Sequence, residues 1–150
     1  MSDSNNGTIR ETIDDSPLFK HLGEDWRRRL AEASELEEYS EGEKIINEDE
    51  TGQHHLFIVI DGSVRVWTDS PTGEVDLKSL GPGAYFGEVS LMHDKTATAT
   101  VEAEEDVEVV AVDRHLVLEL VEQNEKVRDM LEGVTLARAK ETIDKVLDTE

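Results

Sequence analysis

Between Leu36 and Val112 the chain is a succession of apolar runs too short for helices, each bounded by a turn signal. Glu41-Gly42-Glu43-Lys44 precedes Ile45-Ile46, and Asp49-Glu50-Thr51-Gly52 precedes Leu56-Phe57-Ile58-Val59-Ile60. Asp61-Gly62 is a strong hairpin signal, since tight hairpin turns need positive φ, and it leads into Ser63-Val64-Arg65-Val66-Trp67. Pro71-Thr72-Gly73 then turns the chain into Glu74-Val75-Asp76-Leu77-Lys78, which alternates with the period of a half-buried strand. After Gly81-Pro82-Gly83, the segments Thr98–Ala103 and Val107–Val112 read as the last two strands. Short strands at this spacing predict a small barrel or sandwich.

The flanks carry a different period. Residues 1–15 are polar and aperiodic, and are expected to be a flexible tail ahead of a domain spanning 16–150. Ser16-Pro17 supplies a capping hydroxyl and a first-turn proline, followed by the apolar turn Leu18, Phe19, Leu22 that ends at Gly23. A helix is predicted from about Glu24, with Trp26, Leu30 and Ala33 on its apolar side. Arg27, Arg28 and Arg29 form the basic cluster on that helix, read as a solvated face paired with carboxylates. Asp113 is a good N-cap for a helix over Arg114–Val121, and Asn124 breaks or caps it. In the last predicted helix Val127, Met130, Leu131 and Val134 share one face. Leu136, Ala139, Ile143, Val146 and Leu147 share nearly the opposite one. Two apolar faces need two partners: either the helix bends near Gly133 onto residues 16–33, or its second half pairs with another chain.

Length and charge bound the function. A chain of 150 residues is one domain's worth, and the absence of cysteine excludes disulfides and thiolate metal sites. No apolar run reaches the ~20 residues of a membrane helix, and the N-terminus lacks the pattern of a signal peptide, so a cytoplasmic protein is expected. With 36 acids against 15 bases, the net charge of −21 repels nucleic acid and anionic membranes, and neither is expected as a partner. Any anionic ligand would need local positive groups to overcome that field.

The stretch Tyr85–Val101, YFGEVSLMHDKTATATV, is where chemistry concentrates. Gly87 lets a backbone approach a ligand closely, and the Glu88 carboxylate can accept two hydroxyl hydrogen bonds. In order, Phe86-Gly87-Glu88-Val89-Ser90-Leu91, a loop, and Thr96-Ala97-Thr98-Ala99-Thr100-Val101 resemble the phosphate-binding cassette of the cyclic nucleotide-binding domain family. The resemblance extends outward through Gly42, through Leu56–Gly62 and through Leu80–Glu88, covering about Leu18 to Leu147.

That resemblance implies a mainly β member of the α+β class. Its body would be an eight-stranded β-roll, a jelly-roll barrel, flanked by N-terminal helices and two C-terminal helices. It implies a ribose contact at Glu88, backbone contacts near Gly87 and Val89, and a phosphate contact from Thr98 and Ala99, with Phe86 and Ser90 completing the cassette. Cyclic AMP or cyclic GMP is the implied ligand. The chain departs from the family at one telling place: the arginine that pairs with the cyclic phosphate falls on Ala97, and the proline before it on Thr96. Losing such a pair costs on the order of 3–5 kcal/mol, roughly 100- to 3,000-fold in Kd. Lys95 is a candidate substitute cation and Arg65 a poorer one, lysine serving as a point charge without the planar fork.

Two functions are therefore expected from the resemblance and its departure at Ala97, and an enzyme is not. The first is a regulatory or sensor domain that binds cyclic nucleotides weakly or not at all and acts on an effector protein in trans. The second is a degenerate fold used as a dimerisation or interaction module, with Leu136, Ile143, Val146 and Leu147 at the contact. A metal-dependent cupin barrel would need a histidine cluster. His54 and His55 are adjacent and would face opposite ways on a strand, while His21, His93 and His115 are scattered. No nucleophile–base constellation can be assembled either.

Overall fold

Two runs of unbroken apolar residues, Leu56–Ile60 and Val109–Val112, lie side by side at the centre of one sheet of the computed structural model. The structure describes residues 2–48, 55–87 and 99–132. Within them the elements are helices α1 (Ser2–Asp15) and α2 (Glu24–Glu32), then strands β1 (Ser34–Tyr39), β2 (Lys44–Ile46), β3 (His55–Asp61), β4 (Val64–Ser70), β5 (Gly73–Leu80), β6 (Tyr85–Phe86), β7 (Thr100–Ala103) and β8 (Val107–Asp113). Helix α3 (Arg114–Gln123) comes next, and helical backbone resumes over 125–132.

The strands form two antiparallel four-stranded sheets, one ordered β1-β8-β3-β6 and the other β2-β7-β4-β5. Sequence neighbours are mostly in different sheets, as a roll requires; β4 and β5 are a hairpin within one sheet. The apolar runs of β3 and β8 are continuous because both their faces are covered. Phe57, Val59, Val109 and Ala111 point between the sheets, with Phe86, Val64, Val101 and Ala103 in the same core. Leu56, Ile58, Val110 and Val112 point the other way, into a second core built with the helices. β5 shows the other regime: Val75 and Leu77 are buried, and Glu74, Asp76 and Lys78 are exposed.

The hairpin expected at Asp61-Gly62 is instead a turn between sheets: Gly62, at φ 83°, carries the chain from β3 in one sheet to β4 in the other, and the two strands do not pair. A Cβ there would sit 2.4 Å from the Asp106 carbonyl oxygen and 3.0 Å from Val107 Cα. The β3–β4 turn therefore abuts the turn between β7 and β8, and glycine is needed twice over, for its φ and for its lack of bulk.

One expectation is overturned at the N-terminus. The flexible tail expected over residues 1–15 is instead a helix, Ser2–Asp15, with Ile9 and Ile13 buried in the helical core. Two isoleucines four apart make one apolar stripe, too narrow to dominate a polar segment's average yet enough to dock it. Polar contacts fix its orientation: Arg10 pairs with Asp14 at 2.9 Å and with Glu24, and Arg27 reaches Asp14 at 2.9 Å.

The Ser16-Pro17 signal produces its cap bond, Leu18 N–H donating to Ser16 Oγ at 3.3 Å, but only a turn intervenes before α2. The arginines of α2 are paired with carboxylates as expected, Arg28 with Asp25 and Arg29 with Glu119. Asp113 caps α3 by accepting from the backbone N–H groups of His115 and Leu116. Asn124 ends α3 and caps the helical segment over 125–132, its Oδ1 accepting from Val127 N–H at 3.0 Å. Val127 and Leu131 are buried in the helical core. Leu136, Ile143, Val146 and Leu147 lie outside the described residues.

Candidate ligand-binding site

The two stems of the Tyr85–Val101 stretch come from opposite sheets. β6 pairs with β3 through Phe57↔Phe86 and Ile58↔Tyr85, and the Phe57 and Phe86 rings stack 5.0 Å apart. That stack anchors the entering stem, and Gly87 immediately after it has φ 96°, a left-handed conformation that a side chain would strain. The returning stem is β7, paired with β2 through Ile46↔Val101 and with β4 from Val64↔Ala103 to Trp67↔Thr100. The stretch is thus held at one end by each sheet.

Of the expected contacts, the structure places Phe86, Gly87 and Ala99 at the ends of the two stems. Glu88, Val89, Ser90, Lys95, Ala97 and Thr98 lie outside the described residues.

Arg65, the poorer candidate cation, is occupied elsewhere. Its guanidinium bonds Glu74 at 2.7 Å and also Asp76, lies 3.9 Å from Glu102, and sits 5.2 Å from the centre of the Trp67 ring. The Glu74 and Asp76 hydrogen bonds raise its already high pKa, so it stays charged and committed to carboxylates. The physical reason is register. Arg65 lies opposite Glu102 of β7 and Ser79 of β5, on the face of β4 away from inward-pointing Val64 and Val66. It is therefore removed as a candidate partner for a phosphate. Lys44 of β2, also opposite Glu102, holds its ammonium 5.5 Å from the same indole.

Beside the first described residues of β7, a residue with no sequence signal ties the strands together. Glu48 accepts the Thr68 hydroxyl at 2.8 Å and the Asp69 N–H at 2.9 Å, and its own N–H donates to Thr100 Oγ at 3.0 Å. A lone glutamate between two turn signals gives no pattern from which this could be read. Tyr39, on the β1 edge, donates to Glu37 Oε1 at 2.6 Å; burial, then that carboxylate, holds its phenol protonated well above the ordinary range.

Among the described residues no group of three His, Asp or Glu side chains is placed to hold a metal ion. His55 packs its ring 5.9 Å from that of Phe57, and His21 and His115 are exposed. Among the described residues, too, no helix is long and apolar enough to cross a membrane.

Comparison with known proteins identifies the architecture. The family model described as the cyclic nucleotide-binding domain matches residues 36–124. Human cGMP-dependent protein kinase 2 is 37% identical over 120 residues, a match covering 77% of this chain and 16% of that protein. The regulatory domain of Toxoplasma gondii PKA, solved with cAMP, superposes with TM-score 0.80 at 21% identity, covering 90% of this chain and 51% of that one. The regulatory subunit of a cAMP-independent protein kinase A from Trypanosoma brucei gives TM-score 0.76 at 23% identity, covering 90% and 48%. A triple mutant of that protein, one of whose substitutions introduces an arginine, was solved with cAMP in its A site; its TM-score is 0.69 at 22% identity, covering 89% and 53%. The chain thus spans about half or less of these relatives. With the β-roll, the paired stems and the family model all in agreement, the chain belongs to the cyclic nucleotide-binding domain family.

Proposed function

We propose that this chain is a non-enzymatic regulatory domain whose phosphate site is altered, so that cyclic AMP and cyclic GMP bind weakly or not at all, and that it acts through an effector protein. The observation that carries this is the alanine at position 97, which the motif resemblance sets against the phosphate-pairing arginine of the family's cassette. Two facts support it. Arg65 is already held by carboxylates, and a net charge of −21 opposes the approach of a cyclic phosphate. The trypanosome kinase subunit, described as cAMP-independent, offers a parallel, since its cAMP-bound form carries a substitution to arginine.

The regulatory role is drawn from the relatives, which are kinase regulatory subunits and a cyclic nucleotide-dependent kinase. Lys95, two residues before Ala97, is the cation that could compensate as a point charge.

Calorimetry with both nucleotides on the natural chain and on Ala97→Arg tests the reading. The expected result is feeble binding by the natural chain and a gain of roughly 100-fold or more in the variant, the scale set by a buried charge pair. Tight binding by the natural chain, abolished by Lys95→Ala, would overturn it in favour of a lysine-based site. No binding by either protein points to the interaction-module reading.

A further inference from the structure

The strand-built half of the molecule buries few polar side chains, and two of them converge on one residue. Among the described residues the buried polar side chains are Ser16, Ser34, Thr68 and Thr100. Ser16 and Ser34 are satisfied by neighbouring backbone at the helical end, Ser34 donating to Leu30 O at 2.6 Å. Thr68, 4% exposed, and Thr100, 3% exposed, both bond Glu48.

The geometry explains why the glutamate is there. Antiparallel β4 and β7 pair from Val64↔Ala103 to Trp67↔Thr100, and within the described residues the ladder stops at that pair. β4 continues to Ser70, still paired with β5, so Asp69 lies beyond the last described pair with β7. The Glu48 carboxylate accepts the Asp69 N–H. Its other oxygen takes the Thr68 hydroxyl, and its own backbone N–H is anchored on the first residue of β7. Three hydrogen bonds from one residue thus join the end of β2, the far end of β4 and the start of β7.

We propose that Glu48 is a positioning residue that fixes the described start of β7, the returning stem of the ligand-binding stretch, against the far end of β4. It acts through hydrogen-bond geometry rather than charge. A glutamine can keep both side-chain contacts, its oxygen accepting from Asp69 N–H and its amide donating to the Thr68 hydroxyl, which is also an acceptor. Alanine keeps neither. The stem's importance for ligand rests on the nucleotide-pocket reading above; the hydrogen-bonding role does not.

The test compares Glu48→Ala and Glu48→Gln in the full chain by amide hydrogen exchange without nucleotide, then by cyclic AMP and cyclic GMP calorimetry on an Ala97→Arg background. Glu48→Ala is expected to speed exchange at Asp69 and over Thr100–Ala103 about tenfold, the scale of one lost hydrogen bond. The amides of Val109–Val112 should be unchanged, and Glu48→Gln should stay near the natural rates. On the arginine background, Glu48→Ala should weaken binding several-fold and Glu48→Gln should not. Unchanged exchange in Glu48→Ala, a rise spread evenly over both sheets, or a glutamine variant as loose as alanine would overturn the proposal. Unchanged affinity in Glu48→Ala would overturn it too, as far as the ligand is concerned. If Ala97→Arg binds no nucleotide at all, the phosphate-site reading fails while the exchange pattern still decides what Glu48 does.

Discussion

The two sheets solve the same problem under different constraints. The sheet centred on β3 and β8 is buried on both faces, one against the other sheet and one against the helices, so the runs at its centre pack into apolar cores on either side. The sheet of β2, β7, β4 and β5 turns its outer face to charge, with Lys44, Arg65, Glu102, Glu74 and Asp76 gathered across strands around Trp67. The indole nitrogen of Trp67 is buried with no hydrogen-bond partner among the described residues, so the ring is held there by its neighbours rather than by a polar bond. The first sheet is frame; the second carries the returning stem of the ligand-binding stretch at Thr100.

The largest expected effect tests that contrast directly. Ile58 and Leu77 are both nearly inaccessible, at 1% and 5% exposure, yet Ile58 lies mid-strand in the doubly covered sheet and Leu77 on the edge strand β5. Truncating a buried Leu or Ile to alanine costs about 2–5 kcal/mol, depending on how far the surroundings collapse. Ile58→Ala should fall near the top of that range and Leu77→Ala near the bottom, because an edge strand can relax toward the gap. Chemical denaturation of both variants measures the difference. Equal losses would mean that the charged face holds β5 as rigidly as the helices hold β3.

A somewhat smaller effect is expected where the two sheets meet at Gly62. Alanine there must hold φ near 83° and displace the Asp106 carbonyl, 2.4 Å from the added carbon. Left-handed strain and overpacking together predict a loss of about 2–4 kcal/mol. Gly42, also at positive φ (89°) but with nothing within 4 Å, isolates the strain alone, so Gly42→Ala should lose only about 1–2 kcal/mol. Thermal melts of the pair separate collision from strain, and similar losses would show that the β7–β8 turn yields.

Legibility in the sequence divides along the same line. The continuous runs of β3 and β8, the alternation in β5 and the Asp61-Gly62 turn carry their burial in their spelling, because period and turn chemistry are local. So do the Asp113 and Asn124 caps. β1, SELEEY, begins at Ser34, two residues before the first strand residue that pattern alone can justify, since its pairing is decided by β8 across the sheet. α1 escapes a reading by pattern because a docking stripe of two isoleucines is visible only once its partner surface exists. Within the site, the family's cassette is readable as a motif. Glu48 is not, because its role depends on partners on strands distant in sequence, Thr68, Asp69 and Thr100, and Arg65 looks available until the register puts Glu102 beside it.

The smallest effect concerns the seam that holds α1, where charge supplements apolar burial. Partial burial pushes the Asp14 carboxyl up, but hydrogen bonds from Arg10 and Arg27 outweigh it and hold Asp14 below its ordinary value; Glu24 is lowered by its bond from Arg10. Carboxyls depressed in the folded state stabilise it above their unfolded pKa, near 4, and lose that contribution as pH falls through the lowered values. The seam is therefore fully formed at neutral pH and should loosen only in acid. It should also loosen at high salt, because its side chains are partly exposed and are screened. Amide exchange in α1, followed from pH 7 into acid, should rise before exchange in β3 does, and Asp14→Asn should bring the rise to neutral pH. If α1 stays as protected as β3 throughout, Ile9 and Ile13 alone hold the helix, and the polar seam belongs with the frame's apolar logic rather than with the charged sheet's.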